Sequence, residues 1–240
     1  MTTRPVAIVT GASAGIGTAT VDALVAAGWR VVAAARRLDR LEQIAARHGD
    51  HCLPLVLDVT NAESAASFPS RLPADWRQVK ALVNNAGHDI GGKVPFEDGP
   101  VGDWLSIIET NVAGMIRVTH ALVPLLLAAG GHVINIGSIA GVTALANDSA
   151  YCASKFAVNG FSKALRLDYS GRLRVTEILP GVVETEFDRT RRHGDEAAAA
   201  KFYAGFKARL QPDDIAGCIL FALSQPPHVT IAELLVMPSA

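Results

Sequence analysis

Short β-branched apolar runs alternate with longer stretches of helical periodicity along most of the chain. Val6-Ala7-Ile8-Val9 predicts a buried strand, followed by a helix from about Ile16 to Ala27 that Gly28 ends. Val31-Val32-Ala33-Ala34 predicts a second strand, and Leu38 to His48 a second helix with Asp39 as its N-cap. Further strands are expected at Cys52 to Leu57 and Lys80 to Val83, separated by a helix near Ala62 to Arg71. A long apolar helix should cover Val101 to Ala129 and bend at Pro124, where an intrahelical hydrogen bond is lost. His132 to Ile136, Arg174 to Ile178 and Thr230 to Val236 read as the last strands, with a helix from Ser149 to Tyr169 between the first two.

Near-continuous apolar strands separated by helices predict an α/β fold: a parallel sheet covered on both faces. Right-handed crossovers make such a sheet doubly wound, with ligands at the carboxyl ends of its strands. At 240 residues, one domain over positions 1–240 is expected. Residues 184–211 stand apart, charged and alanine-rich with no strand pattern, and read as a helical excursion over the site, a candidate lid.

Half of the residues are hydrophobic and 19% are charged, which excludes a disordered chain. A net charge of −1 gives no general pull toward nucleic acid or an anionic membrane, so neither is an expected partner. Met1-Thr2-Thr3-Arg4-Pro5 leads straight into an apolar run without a signal-peptide core, and no uninterrupted apolar stretch is long enough to span a bilayer. A soluble cytoplasmic protein is the expectation. Cys52, Cys152 and Cys218 are scattered and odd in number, which suggests neither a metal site nor a disulfide framework. Cys152 adjoins Tyr151, but neighbours on a helix point roughly 100° apart, and it reads as a packing residue.

Candidate chemistry starts at the first strand–helix turn. Gly11, Gly15 and Gly17 in Thr10-Gly11-Ala12-Ser13-Ala14-Gly15-Ile16-Gly17 allow a tight turn and close backbone approach to a ligand. With Ser13, Ala14 and Ile16 they precede free helix N–H groups suited to a pyrophosphate. The spacing differs from the common G-x-G-x-x-G fingerprint. After the second strand, where an acidic residue would favour a ribose 2′-hydroxyl, the chain has Arg36 and Arg37. A guanidinium grips phosphate through parallel hydrogen bonds, so NADP(H) is favoured, with NAD(H) as the alternative. Asp58, with Val59 after it, is a candidate for the adenine end, or a cap for the next helix.

Tyr151 and Lys155 stand four positions apart, on one face of the helix expected there. A phenol titrates near ~10, and a neighbouring cation favours its ionised form. Ser138, ending the fifth strand, adds a hydrogen-bond donor, although it could equally cap the turn before Ala140-Gly141.

Together these motifs resemble the short-chain dehydrogenase/reductase family over nearly the whole chain. Thr10-Gly11-x3-Gly15-x-Gly17 is similar to its cofactor turn and Asn84-Asn85-Ala86-Gly87 to its fourth-strand motif. Asn111, Ser138, Tyr151 and Lys155 resemble its active-site set, and Pro180-Gly181-Val182-Val183-Glu184-Thr185 the segment that touches the nicotinamide. The resemblance implies a single Rossmann-type domain with a seven-stranded parallel sheet, a nicotinamide cofactor, and reversible oxidation of an alcohol to a carbonyl. Ser138 would then bind the substrate oxygen and Tyr151 act as general acid/base. Lys155 would lower the tyrosine pKa and hold the nicotinamide ribose, and Asn111 would hold a water leading from Lys155 to solvent, or alternatively only stabilise a bulge in the long helix. Asn85, Ala86, Gly87, Pro180, Gly181, Val183 and Thr185 become cofactor candidates. A redox sensor or scaffold without turnover would need the glycine turn but not this proton apparatus.

The substrate is less legible. His88, Asp89, Ile139, Gly141, Leu145 to Asp148 and parts of Val183 to Phe206 are nominated to line its pocket, and Arg189, Arg191 and Arg192 to meet a substrate carboxylate. The tail Val229 to Pro238 and Glu184-Thr185-Glu186-Phe187 resemble members acting on small 3-hydroxy acids and serine-like substrates. The family resemblance also implies a homodimer or homotetramer, with Leu122, Val123, Leu125 and Leu126 serving either the core or an interface.

Overall fold

The computed structural model describes residues 4–239, so the expected lack of a leader at Met1-Thr2-Thr3 lies outside the described residues. Seven parallel strands run in the order β3-β2-β1-β4-β5-β6-β7. They are β1 (Val6–Thr10), β2 (Arg30–Ala35), β3 (Cys52–Val56), β4 (Val79–Asn84), β5 (His132–Ile136), β6 (Arg174–Pro180) and β7 (Glu233–Val236). The helices are α1 (Gly15–Ala26), α2 (Leu38–His48), α3 (Ala62–Ser67), α4 (Val101–Ile108), α5 (Met115–Ala129), α6 (Ser149–Asp168), α7 (Phe187–Arg191), α8 (Glu196–Ala204) and α9 (Pro212–Ser224).

Strand side chains alternate between two cores. Ala7, Val9, Val31 and Ala33 pack with Val21 and Leu24 of α1 and Ile215 and Ile219 of α9. Val6, Ile8, Val32 and Leu82 face the other way, onto Phe68, Val118, Leu122 and Leu126. Leu122, Val123 and Leu126 are therefore core residues of the subunit.

Several element ends differ from expectation for local reasons. Arg37, not Asp39, occupies the N-cap of α2, and Asp39 lies in its first turn. The α3 helix is capped by Asn61, whose side chain accepts from Ser64 N, and it tightens to a 3-10 turn over Phe68–Arg71, where Pro69 cannot continue it. The long helix is irregular at a π-turn over Glu109–Gly114, while α5 runs through Pro124. The distortion centres on Asn111, whose side chain accepts from His88 N at 2.9 Å and donates to His88 O at 3.0 Å.

Among the described residues, the helix Val101–Ala129 is long and apolar enough to cross a membrane. Asp103, Glu109 and Arg117 interrupt it, and Ile107, Val118, Leu122 and Leu126 bury it against the sheet and α6.

Candidate active site

The sheet order reverses direction between β1 and β4, and the carboxyl ends of β1, β4, β5 and β6 open into a cleft of about 460 Å³. Every catalytic and cofactor candidate named from the sequence lines it except Gly17 and Asn111, whereas of the substrate-side candidates Asp89, Gly141, Ala146, Asn147 and Arg192 do not.

Gly17 acts from beneath. A Cβ there would collide with the Gly11 carbonyl oxygen and lie 2.7 Å from Asn85 Nδ2. That Asn85 nitrogen donates to Thr10 O at 2.9 Å and Gly11 O at 3.2 Å, and Thr10 Oγ1 accepts from both Asn85 N and Ala86 N at 3.0 Å. Asn85 thus braces the turn from β4. Gly15 takes φ +52°, and a Cβ on it would meet Thr185 Cγ2 at 3.1 Å, so the Val183–Thr185 arm lies directly over the turn. Ala14 is the N-cap of α1 and provides no side-chain cap, which presents the positive end of the helix at the cleft.

At the far end, Arg36 is exposed and makes no hydrogen bond or ion pair with the described residues. Arg37 donates to Ser13 Oγ at 3.0 and 3.1 Å. Asp58 Oδ1 accepts from Thr60 N and Oγ1. Burial acts to raise the Asp58 carboxyl, but the Thr60 hydrogen bonds and the Arg36 charge outweigh it and hold it below the usual range. The capping duty considered for Asp58 belongs to Asn61.

Tyr151 and Lys155 lie on the first turns of α6, which Asp148 precedes, and Ser138 follows β5. Ser138 both caps and faces the site: its Oγ accepts from Ala140 N at 3.1 Å and lies beside the Tyr151 phenol. Burial pushes the phenol above its ordinary pKa, and Ser138 pulls it back in part. Lys155 Nζ donates to the Ile136 carbonyl at 2.8 Å and stands 5.6 Å from the Tyr151 ring centroid. Burial brings Lys155 down to about 8, against the pull of Glu177 and Asp89. Burial thus acts on the phenol against the lowering expected from Lys155, whose Nζ is aimed at the Ile136 carbonyl.

Asn111 does not line the cleft, and its amide is committed to His88 and, at 3.1 Å, to Ser154 Oγ. Asn84 ties β4 to β5 through Asn135 Oδ1 at 2.9 Å.

On the substrate side, His88, Ile139, Leu145 and Asp148 line the cleft, whereas Gly141 packs under α6. The three arginines nominated for a substrate carboxylate are paired within the chain. Arg191 donates to Asp89 at 2.6 Å and Asp188 at 2.7 Å, Arg192 to Asp188 at 2.7 Å, and Arg189 to Glu196 at 3.1 Å. Lys93 and Phe202 also line the cleft. Lys93 was missed because Gly91-Gly92-Lys93 carries no periodicity; its one signal was a cation beside two glycines.

The glycine cradle, the uncapped helix end and the unpaired guanidinium fit a dinucleotide with an extra phosphate. Residues 5–196 match the model of the short chain dehydrogenase family. A probable NADP-dependent dehydrogenase of Haemophilus influenzae is 39% identical over 237 residues, 98% of this chain and 93% of the relative. A serine 3-dehydrogenase of Rhizobium radiobacter is 37% identical over 232 residues, covering 96% and 92%. A solved closed form of serine dehydrogenase complexed with NADP+ superposes with a TM-score of 0.93 at 37% identity, over 96% of this chain and 94% of that one. The chain belongs to the short chain dehydrogenase family.

Proposed function

We propose that this protein is an NADP(H)-dependent oxidoreductase that interconverts the hydroxyl and carbonyl forms of a small 3-hydroxy acid. The observation that carries the reading is the meeting of Ser138, Tyr151 and Lys155 in the cleft that the glycine turn and Arg36 close at its other end. The chemistry that NADP(H) supplies when bound is hydride transfer to or from the substrate carbon.

Gly11, Ser13, Ala14, Gly15 and Ile16 would hold the pyrophosphate, Arg36 and Arg37 the 2′-phosphate, and Asp58 and Val59 the adenine. Ala86, Gly87, Pro180, Gly181, Val183 and Thr185 would seat the nicotinamide half, with Asn85 and Gly17 shaping the turn. Ser138 donates to the substrate oxygen, and Tyr151, kept neutral by burial, gives that oxygen its proton in the reductive direction. Lys155, down to about 8, exchanges protons within ordinary pH and recharges the phenol in this reading. With the Asn111 amide occupied, its share in proton relay falls to the π-turn backbone it shapes.

The chain works as one unit over residues 1–240 in this proposal, with 184–211 as the substrate loop. Assembly as a homodimer or homotetramer is supported by exposed Leu105, Ile116 and Phe156 on α4, α5 and α6. Three free thiols suit a reducing compartment and support a cytoplasmic location. An NADP(H)-coupled assay across 3-hydroxy acids, ketones, aldehydes and sugar alcohols tests the function, and NADPH binding without any turnover would overturn it. Light scattering of the purified protein tests the assembly.

A further inference from the structure

Asp148, one turn ahead of Tyr151, is 3% exposed and lines the cleft, yet neither of its carboxylate oxygens has a hydrogen-bond partner. A buried carboxylate without a partner is costly unless it takes a proton or a cation. The cation beside it is Lys93, whose Nζ lies 3.8 Å from Asp148 Oδ2, beyond hydrogen-bond reach. Lys93 also lines the cleft and stands 5.5 Å over the Phe202 ring. Both arms are held in left-handed backbone, with φ 64° at Lys93 and φ 59° at Asn147.

Behind this pair, Arg191 and Arg192 are matched by acids, although Asp89 Oδ1 is left without a partner. Asp89 takes Arg191, and Asp188 takes both Arg191 and Arg192. Burial pushes Asp89 up to about 7, against the pull of Arg191 and with the neighbouring Asp148 carboxyl raising it further; burial raises Asp148 as well, against the pull of Arg191, Lys93 and Asp89. Facing the cleft, then, are one carboxylate and one ammonium with unfilled bonding capacity and a gap between them. An α-amino acid head has the complementary layout. In a β-hydroxy-α-amino acid, the α-carbon is one bond from the reacting carbon, so its head must be read by the wall next to Tyr151.

We propose that Asp148 and Lys93 form a subsite that reads the α-ammonium and the α-carboxylate of a β-hydroxy-α-amino acid, selecting it over the 3-hydroxy acid that lacks the amine. This rests on the hydride-transfer reading above and narrows it. Arg191, neutralised by Asp89 and Asp188, positions the acidic pair and leaves Lys93 as the substrate's anion contact.

The test compares NADP+ reduction by each enantiomer of serine with that by 3-hydroxypropanoate, in the wild type, Asp148→Asn and Lys93→Gln. The wild type should favour one serine enantiomer by at least about tenfold in kcat/KM. Asp148→Asn should raise the KM for serine about tenfold or more and leave 3-hydroxypropanoate nearly unaffected, because the lost partner is the ammonium's. Lys93→Gln, at a partly exposed loop position, should weaken both substrates. Thermal unfolding of the NADP+-loaded proteins gives a readout apart from turnover: serine should stabilise the wild type and not Asp148→Asn. Equal losses on both substrates in Asp148→Asn, or a wild-type preference for 3-hydroxypropanoate, would overturn the subsite. Turnover of 3-hydroxypropanoate or other alcohols without a preference for serine defeats only this inference, whereas no turnover of any alcohol or ketone defeats the hydride-transfer reading too.

Discussion

One terminal nitrogen of Arg40 donates to both carboxylate oxygens of Glu186 at 2.9 Å, joining positions 146 residues apart across the mouth of the cleft. Arg37 and Arg189 reach the same carboxylate at 3.5 and 3.4 Å. Burial would raise Glu186, but Arg40 and its neighbours hold it below the usual range. The tie fastens the 184–211 arm to the start of α2, beside the glycine turn.

Glu186→Gln should loosen that arm with little change in global stability, since exposed ion pairs contribute only about 0–1 kcal/mol. Trypsin should cut the Arg189–Arg192 stretch severalfold faster, and NADPH should leave faster in stopped flow. Unchanged cleavage and release would show that packing alone holds the arm.

Arg36, whose guanidinium has no partner among the described residues, is the proposed contact of the 2′-phosphate. A hydrogen bond to a charged group is worth roughly 1.5–3 kcal/mol, or on the order of 10- to 100-fold in affinity. Arg36→Ala should weaken NADPH by that factor and leave NADH nearly unchanged in fluorescence titration. A constant ratio between the two would transfer the role to Arg37.

Tyr151→Phe removes the phenol proton while keeping the ring against Phe187, with centroids 5.8 Å apart. General acid–base catalysis is worth about 10²- to 10⁴-fold, so kcat should fall by that much while NADPH affinity is retained. Single-turnover kinetics and a binding titration measure the two separately.

His132 is fully buried in β5; its Nε2 bonds Thr176 Oγ1 at 2.7 Å and its Nδ1 has no partner. Burial, with Arg174 nearby, brings it from 6.5 to about 3. Between those values the unfolded chain holds the extra proton, so stability falls as pH drops below 6.5 and is unaffected above it. Each unit costs ~1.4 kcal/mol, and His132→Leu should flatten the wild-type decline by about 2 kcal/mol between pH 6.5 and 5. Urea unfolding of both proteins across that range checks the sign, and parallel curves would refute it.

The strands and the Tyr151–Lys155 face were legible because their signals are local: buried apolar runs and a four-residue spacing. The glycine turn was legible for the same reason. A bulge at Asn111 was legible as the alternative to its relay role, but its extent over Glu109–Gly114 was not, because Asn111 draws the backbone toward His88 through a contact set by the tertiary fold. The pairing of Arg191 with Asp89 spans 102 residues and leaves no periodic trace. The protonation of Tyr151 depends on its burial, which a spacing does not encode. Asp39 resembled a cap by residue type, but a helix that starts at Leu38, as expected, puts Arg37 at the cap and Asp39 inside the first turn.

The interior position of β1 has a consequence for biosynthesis. β1 pairs with β2, which follows at once, but its other edge waits for β4, whose Val79 partners Val6. While the ribosome makes the intervening stretch, the nascent chain carries an unpaired edge of Val6, Ala7, Ile8 and Val9, all fully apolar. A strand added so late is slow to close and open to intermolecular pairing. Production of this protein should therefore be most sensitive to chaperone supply during the interval before Asn84 leaves the exit tunnel.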